Sequence, residues 1–349
     1  DVSGLLVGYQ RTSDSVEDNV NISLAWQGDL LADFITSGSV EGSVSYSYDD
    51  YFHRSGETVY WNNDFVSRAV SYNADGVLNS RGSYSVTRVA GSGLVERAVV
   101  DDIEQTLTYN GFGEVVGHSY ARISTGEVFL EETISRNQAG HLSDRNERWF
   151  GAERSYAYAY DSRRRLVGVT GAESYAWEYD VSDNLVGLGS GDTAVTLEYN
   201  LSNQLVDDGN SAYVYDADGQ LVSQMNNQTD AERSFVYDAV GQLIQVTLED
   251  GRVIRYVLDP MGNLVKRLVD DVLTHAWVYD ASRRPVVEYS AALDKHAFVT
   301  YGANEYHPAY LTQDGIDYVV VTDAMGNTRG LLDAADGTWR AAYRYAPYG

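Results

Sequence analysis

Apolar and polar residues alternate along short runs throughout the chain, and each run is bounded by a polar turn signal. In "LIQVTL", Ile244, Val246 and Leu248 share one face of an extended chain, and the polar residues between them share the other. Tyr, Val, Ile and Thr, which are frequent in such runs, favour strands. Apolar residues seldom recur at the i, i+3, i+4 spacing of an amphipathic helix. The pattern therefore predicts an all-β chain of short, half-buried strands.

A Tyr-Asp-x-x-Gly-x-Leu-Val unit recurs between these runs. It reads "YDADGQLV" from Tyr215, "YDAVGQLI" from Tyr237 and "LDPMGNLV" from Leu258, and twelve copies of varying regularity can be aligned. Between Tyr160 and Tyr279 the copies are spaced by about 20 residues, which is typical of a repeat architecture. An enzyme needs its catalytic motif only once, so we interpret a unit that recurs this often as a structural repeat.

The chemistry of the unit predicts a tight turn between two strands. Asp216, at the first turn position, can accept a hydrogen bond from the backbone N–H two residues on, and Gly219 supplies the positive φ of a bulge. Where Gly is absent, Asn or Asp often replaces it, and both tolerate this conformation. Arg164 and Arg283 stand at this position in two copies, so we expect those two turns to differ. The residues expected to build the clearest turns are Tyr215, Asp216, Gly219, Tyr237, Asp238, Gly241, Asp259, Gly262, Tyr279, Asp280, Asp323 and Gly326.

The repeats predict one continuous β architecture. A lone hairpin is marginally stable in water, so successive hairpins are expected to pair edge to edge and to bury a common face. We predict a long, twisted, spiralling antiparallel sheet that forms a partial shell or a solenoid-like array. The array is expected to span residues 1–349, with diverged repeats in 1–70 and clear repeats in 71–349, and with no separate catalytic or toxin domain.

The repeated motif resembles that of the Rhs/YD-repeat family. The segment "YVVVTDAMGNTRGLLDAADGTWRAAYRYAPYG" (residues 318–349) is similar to the stretch just before the C-terminal core signature of that family. The resemblance implies a β-sheet that spirals into a hollow shell. In bacterial Rhs toxins and in the B and C components of insecticidal toxin complexes this shell encloses a toxin, and the related shell of teneurins takes part in adhesion. YD repeats have also been linked to carbohydrate binding.

Composition narrows the choice of partner and compartment. The net charge of −26 would repel nucleic acid and anionic lipid, so neither is expected as a partner. The chain contains no run of 18 apolar residues, so no transmembrane helix is predicted. It contains no cysteine, so neither disulfides nor thiolate metal sites are expected. We expect a secreted or cell-surface bacterial protein, with a polypeptide cargo or a glycan as the possible partner.

Candidate chemistry is sparse. The six histidines are scattered, and of these only His296 and His307 lie close in sequence, which is weak evidence for a metal site. "DADG" from Asp216 is similar to part of a calcium loop, but turn formation explains it as well. No nucleophile elbow or phosphate-binding loop is present. We therefore expect no catalytic residue, no metal site, no cofactor and no enzymatic activity.

The aromatic residues are the strongest candidates for a binding function. Trp177, Trp277 and Trp61 could stack against sugar rings if they face outward, whereas burial in the sheet would make them part of the core. Two hypotheses follow. The chain is either a structural shell segment that encases or presents a polypeptide, or a surface module that binds carbohydrate or a partner through exposed aromatics and carboxylates.

Overall fold

The structure is a computed structural model that describes residues 5–12, 18–189 and 195–345. Within these ranges it contains 33 strands and no α-helix. In the same ranges, no helix is long and apolar enough to cross a membrane. The strands belong to two antiparallel sheets of 18 and 15 strands, which confirms the predicted all-β, antiparallel fold.

The first sheet comprises β1 (Gly8–Arg11), β2 (Val20–Gln27), β3 (Leu30–Gly38), β4 (Gly42–Tyr48), β5 (Arg54–Trp61), β6 (Asp64–Tyr72), β7 (Leu78–Arg81), β8 (Tyr84–Arg88), β9 (Val95–Val100), β10 (Ile103–Tyr109), β11 (Val115–Arg122), β12 (Val128–Arg136), β13 (Leu142–Trp149), β14 (Ala152–Tyr160), β15 (Leu166–Gly171), β16 (Tyr175–Tyr179), β17 (Leu185–Leu188) and β18 (Val195–Thr196).

The second sheet comprises β19 (Glu198–Tyr199), β20 (Leu205–Asp207), β21 (Ser211–Tyr215), β22 (Leu221–Asn226), β23 (Glu232–Tyr237), β24 (Leu243–Thr247), β25 (Val253–Leu258), β26 (Leu264–Val269), β27 (Val272–Tyr279), β28 (Pro285–Ser290), β29 (Lys295–Tyr301), β30 (Pro308–Gln313), β31 (Ile316–Thr322), β32 (Thr328–Asp333) and β33 (Trp339–Ala342).

Within the second sheet, strands that follow one another in sequence are neighbours, and they pair as antiparallel hairpins, as β21 does with β22 and β27 with β28. In the first pair Tyr215 lies opposite Leu221, and the register shifts between Val214 and Tyr215. The same shift precedes Tyr237, which lies opposite Leu243. The bulge therefore falls at the motif tyrosine, where the chain enters the turn.

The chain divides into two compact units. Unit 1 comprises Asp1–Thr108, Ser119–Val128 and Arg255–Arg344, and unit 2 comprises Tyr109–His118, Phe129–Ile254 and Tyr345–Gly349. That all of these residues belong to one repeat array stays a prediction.

The core of unit 1 is an apolar cluster between strands from its early and late segments. Val44 and Val59 pack there with Val278 and Val287, and each of these side chains is almost fully buried. The strand that carries Gly42 and the strand that carries Val278 approach each other closely. A Cβ atom added at Gly42 would lie 2.5 Å from a methyl carbon of Val278. A side chain at position 42 would therefore push these two strands apart.

The core of unit 2 combines apolar and charged side chains. Glu132 and Glu147 lie opposite each other on β12 and β13 and are buried. Arg145 lies between them, with its Nε atom 3.0 Å from Glu132 and an ion pair to Glu147, and His118 contacts Glu132 at 3.1 Å. Opposite charges in contact make the burial of these groups tolerable.

Candidate functional site: the Tyr-Asp turn and the tyrosine clamp

The carboxylate of Asp216 organises the turn between β21 and β22. Its Oδ1 atom accepts hydrogen bonds from the backbone N–H groups of Asp218 at 3.0 Å and Gln220 at 2.9 Å. The backbone N–H of Gly219 donates to the carbonyl oxygen of Asp216 at 3.2 Å, and the φ of Gly219 is +84°. One carboxylate oxygen thus accepts hydrogen bonds from two backbone N–H groups that cannot pair with a neighbouring strand, because the chain reverses direction there.

The same pair of backbone-to-side-chain hydrogen bonds recurs along the chain. It is made by Asp49, Asn73, Asn110, Asn137, Asp161, Asp180, Asn200, Asp238, Asp259, Asp280 and Asp323. Gly241, Gly262 and Gly326 adopt φ values of +83°, +83° and +90°. The side chains of the recurring Asp and Asn residues are therefore engaged in building turns.

The two turns that carry arginine in place of glycine do not differ from the others, so that expectation was wrong. Arg164 and Arg283 adopt the left-handed conformation, with φ values of +67° and +62°. This conformation costs about 1–2 kcal/mol for a residue with a side chain. The next residue in each turn helps to hold it, because Arg165 and Arg284 also donate from Nε to Asp161 and Asp280 at 2.7 and 2.8 Å.

The residue after the glycine position is part of the turn, which the sequence interpretation missed. Asn263 donates from Nδ2 to Asp259 Oδ2 at 2.8 Å, so a donor faces the aspartate. Where the first residue is Asn110, its Nδ2 instead donates to Glu114 at 2.7 Å. The two positions are thus chemically complementary, and this complementarity is visible in the sequence.

In four places a tyrosine at the motif position joins its turn to the turn before it. Its hydroxyl group donates to the backbone carbonyl oxygen at the Leu position of the preceding repeat, and we call this contact the tyrosine clamp. The clamps are Tyr179 to Leu166 at 2.9 Å, Tyr215 to Leu205 at 2.8 Å, Tyr279 to Leu264 at 2.9 Å and Tyr301 to Pro285 at 3.1 Å. The repeat therefore carries a link between hairpins as well as a turn within each hairpin.

These environments shift the pKa values of the motif residues in opposite directions. Burial raises the pKa of Tyr279 to about 12, and the nearby carboxylates of Asp259 and Glu288 add to this. The pKa of Asp161 is lowered, first by the backbone hydrogen bond from Arg165, and that of Asp180 is lowered, first by the side-chain hydrogen bond from Asn184. The tyrosine thus stays a neutral donor and the two aspartates stay charged acceptors.

The three tryptophans occupy different environments. Trp177 is 3% exposed and Trp61 is 8% exposed, whereas Trp277 is partly exposed and stacks on His275 with ring centroids 5.7 Å apart. Trp61 stacks on Tyr289 beside a cavity of about 690 Å³ in unit 1. We call this space the Trp61 cavity. The polar side chains that line it include Glu41, Asn62, Asp64, Lys266, Asp294 and His296. A ligand-binding role for the three tryptophans stays a prediction.

No group of three or more His, Asp and Glu side chains is arranged to hold a metal ion within the described ranges. The Nε2 atom of His296 contacts Asp64 at 3.0 Å. The expected absence of a metal site and of a cofactor stays a prediction.

Comparison with solved structures shows the same fold in toxin complexes. The Tc holotoxin pore of Photorhabdus luminescens superposes with a TM-score of 0.60 at 14% identity, over 95% of this chain and 18% of that chain. The TcdB2-TccC3 complex gives a TM-score of 0.60 at 13% identity, over 97% of this chain and 18% of that chain. The chain thus spans less than a fifth of the length of these proteins.

Comparison by sequence gives the family. A search of curated proteins gave no match. The family model for the teneurin YD-shell matches residues 8–349, which include every turn and clamp described above. This protein belongs to the teneurin YD-shell family.

Proposed function

We propose that the chain is a structural wall segment of a YD shell that encases or presents a polypeptide. The observation that carries this proposal is the tyrosine clamp. Each clamp fastens one hairpin to the preceding hairpin, as in Tyr215 to Leu205 and Tyr279 to Leu264. A contact that recurs from hairpin to hairpin can hold together a sheet of any length, as the wall of a shell requires. It does not mark out one position of the sheet, as a binding or catalytic site would.

The use of the polar groups supports a scaffold. The recurring aspartates of the motif accept hydrogen bonds from their own turns, as Asp216 and Asp259 do. A general acid or base needs a carboxyl group that can reach a substrate, and these groups are held in place by the backbone. We further propose a secreted or cell-surface location in a bacterium, in line with the acidic surface and the fold shared with Tc toxins.

Protease protection of the whole gene product tests the proposal. The full-length protein is treated with a nonspecific protease in its native state, and the products are identified by mass spectrometry. We expect polypeptide segments outside the YD repeats to survive intact, and to become digestible in a variant in which Tyr215, Tyr279 and Tyr301 are all replaced by Phe. Digestion of those segments at the same rate in the native protein and in the opened variant would contradict a shell.

A second candidate function is the binding of a polysaccharide in the Trp61 cavity. The partly exposed ring of Tyr289 gives it an aromatic wall, which the buried Trp61 supports from 5.7 Å between ring centroids, and Asp64 and His296 supply hydrogen-bonding groups. Sugars are commonly bound by this combination of apolar ring faces and polar side chains. A glycan array probed with the native chain and with Asp64→Ala tests it, and Asp314→Ala, at an exposed site outside the cavity, is the matched control. Binding lost in Asp64→Ala alone supports this function, and no binding to any glycan overturns it.

A further inference from the structure

A row of buried and partly buried polar side chains crosses four strands of unit 1. Tyr46 on β4 lies opposite Glu57 on β5, and Glu57 lies opposite Arg68 on β6. Arg81 on β7 lies opposite Val70, two residues beyond Arg68, so it faces the same side of the sheet. Arg68 and Arg81 are only 3% and 5% exposed.

The two buried guanidinium groups have more donors than the protein has acceptors for them. Arg68 donates from Nη1 to Glu57 at 3.2 Å, and Arg81 donates from Nη1 to the carbonyl oxygen of Tyr301 at 3.1 Å. The Nε and Nη2 atoms of Arg68 and the Nε atom of Arg81 are buried and make no hydrogen bond among the described residues, although Arg81 Nε lies 3.9 Å from Glu57 Oε2 as an ion pair. Burying a charged donor without an acceptor is costly, so this site has an unmet preference for an oxygen acceptor.

A cavity of about 840 Å³ is connected to this row through Tyr301, although Arg68 and Arg81 do not line it themselves. It is lined by Arg283, Arg284, Tyr301, Asn304, Glu305 and Tyr306, among others, and Tyr301 is also the residue whose carbonyl oxygen binds Arg81. The Nη1 atom of Arg284 is buried as well, and it lies 3.6 Å from Glu305 without a hydrogen bond. We call this space the arginine cavity.

The charge around the arginine cavity is opposite to that of the whole chain. The guanidinium of Arg54 stacks on the ring of Tyr46 at 4.0 Å and adds a fifth cation to this region. The cations of the cavity, of the row and of this stack are Arg54, Arg68, Arg81, Arg283 and Arg284, and the carboxylates are Glu57, Asp280 and Glu305. The local formal charge is therefore 5 − 3 = +2, in a chain whose net charge is −26. A locally positive cavity in an acidic protein favours the binding of an anion there.

We propose that the arginine cavity binds a carboxylate group. A carboxylate presents acceptor oxygens to the N–H donors of a guanidinium. Arg284 already binds one carboxylate oxygen of Asp280 from both Nε and Nη2, at 2.8 and 2.6 Å, and its buried Nη1 is left as a donor for a ligand. A single negative charge fits this site better than a multiply charged anion, because Glu305 lies in the wall. The carboxylate comes from a small free acid or from the C-terminus of a polypeptide, and this inference does not depend on the proposed shell function.

Arg283→Gly tests the proposal. It removes one cavity cation and places glycine at a position with a φ of +62°, which glycine adopts without strain. It also removes the hydrogen bond from Arg283 Nε to Asn263, so urea denaturation of the variant first confirms that the fold is kept. Arg164→Gly is the matched control, because it makes the same change at a φ of +67° in a turn of unit 2. Isothermal titration calorimetry of the full chain uses three probes: acetate, a neutral peptide with a free C-terminal carboxylate, and the same peptide with an amidated C-terminus.

We expect acetate or the free-carboxylate peptide to bind the native chain and Arg164→Gly equally, and to bind Arg283→Gly about tenfold more weakly, as for the loss of one charged hydrogen bond. Binding of acetate identifies a small acid as a sufficient ligand, and binding of the free-carboxylate peptide alone identifies a polypeptide terminus. Absence of binding by both probes overturns the proposal. Equal affinity of the free and amidated peptides without acetate binding, or equal affinity of Arg283→Gly and Arg164→Gly, overturns it as well.

Discussion

The hydroxyl group of Tyr279 donates a hydrogen bond to the backbone carbonyl oxygen of Leu264 at 2.9 Å, and this contact fastens one Tyr-Asp turn to the turn before it. The same two turns are joined a second time, because Arg283 donates from Nε to the side-chain oxygen of Asn263 at 3.0 Å. Successive hairpins of the array are thus held at their turn ends by side chains, in addition to the strand ladder between them.

Replacing Tyr279 by Phe should remove the clamp and keep the ring. We expect the free energy of unfolding to fall by about 1 kcal/mol, the usual net contribution of one hydrogen bond. Urea denaturation of the native chain and the variant measures this. Tyr306→Phe is the control, since Tyr306 is 90% exposed and its loss of a hydroxyl should change stability little. An equal effect of both substitutions would show that the clamp adds no stability.

The stability of the fold should decrease at alkaline pH through the clamp tyrosine. The pKa of Tyr279 is raised to about 12 in the folded chain, mainly because burial disfavours the phenolate. In the unfolded chain a tyrosine titrates near about 10, so above that pH the unfolded state loses the proton that the folded state keeps. The contribution of Tyr279 is therefore complete below about pH 10 and is lost as pH rises towards about 12.

The measurement compares the native chain with Tyr279→Phe by urea denaturation at a series of pH values across this window. The unfolding free energy of the variant should depend less steeply on pH than that of the native chain. Parallel pH profiles would show that Tyr279 titrates alike in the folded and unfolded states.

The sequence alone predicted the strands and turns because both depend on local chemistry. Alternation such as that of Ile244 and Val246 reports one buried face, and the spacing of Asp216 and Gly219 reports a turn within four residues. The tyrosine clamp was missed because its donor and acceptor lie in different hairpins. Tyr279 and Leu264 are 15 residues apart, and nothing in the order of residues shows that their backbones approach.

The buried charges escaped prediction for a different reason. Glu132 lies two residues from Leu130 and Ile134 on its strand, so alternation places it on the buried face, whereas its charge is typical of an exposed position. Glu147 lies in the same way two residues from Trp149, and the structure buries both glutamates beside Arg145. Only the pairing of β12 with β13 places the two carboxylates opposite each other with a guanidinium between them. Similarly, alternation could not say which face of its strand holds Trp61 or Trp177, and the structure buries both.

Asp259 and Asp216, two copies of the motif aspartate, should contribute differently to the free energy of unfolding because they differ in burial. Asp259 is 2% exposed and accepts hydrogen bonds from two backbone N–H groups and from the Asn263 side chain. We expect Asp259→Ala to destabilise the fold by about 2–3 kcal/mol, because buried donors then lack an acceptor. Asp216→Ala removes the same backbone contacts at an exposed turn and should cost about 1 kcal/mol. Thermal and urea unfolding compare them, and equal effects would show that burial does not set the strength of the turn.

Replacing Arg164 by Gly should stabilise the chain. The φ of Arg164 is +67°, a conformation that glycine adopts without steric cost. The relief of about 1–2 kcal/mol is partly offset by the greater freedom of glycine in the unfolded chain, so we expect a net gain of about 0.5–1 kcal/mol. A lower unfolding midpoint in urea would mean that contacts of the arginine side chain outweigh the strain.

Two neighbouring ion pairs of β12 and β13 should respond differently to the loss of a carboxylate. Glu147 is buried and contacts Arg145 and Arg154, so Glu147→Ala should destabilise the fold by about 3 kcal/mol through buried positive charge without its partner. Glu131 forms an exposed pair with Arg148 at 2.8 Å, and Glu131→Ala should cost under about 1 kcal/mol. Urea denaturation in low and high salt distinguishes them, because only the exposed pair is screened. If the two substitutions lower the unfolding free energy equally, and if both losses become smaller in high salt, then Glu147 is hydrated and the account of its burial is contradicted.

Cryo-electron microscopy of the full-length gene product tests the shell most directly. We predict that the hairpins of residues 8–349 form part of a wall whose inner face surrounds density for polypeptide outside the repeats. A map in which these strands form a wall around no polypeptide, or in which the remaining chain lies wholly outside it, would contradict the account.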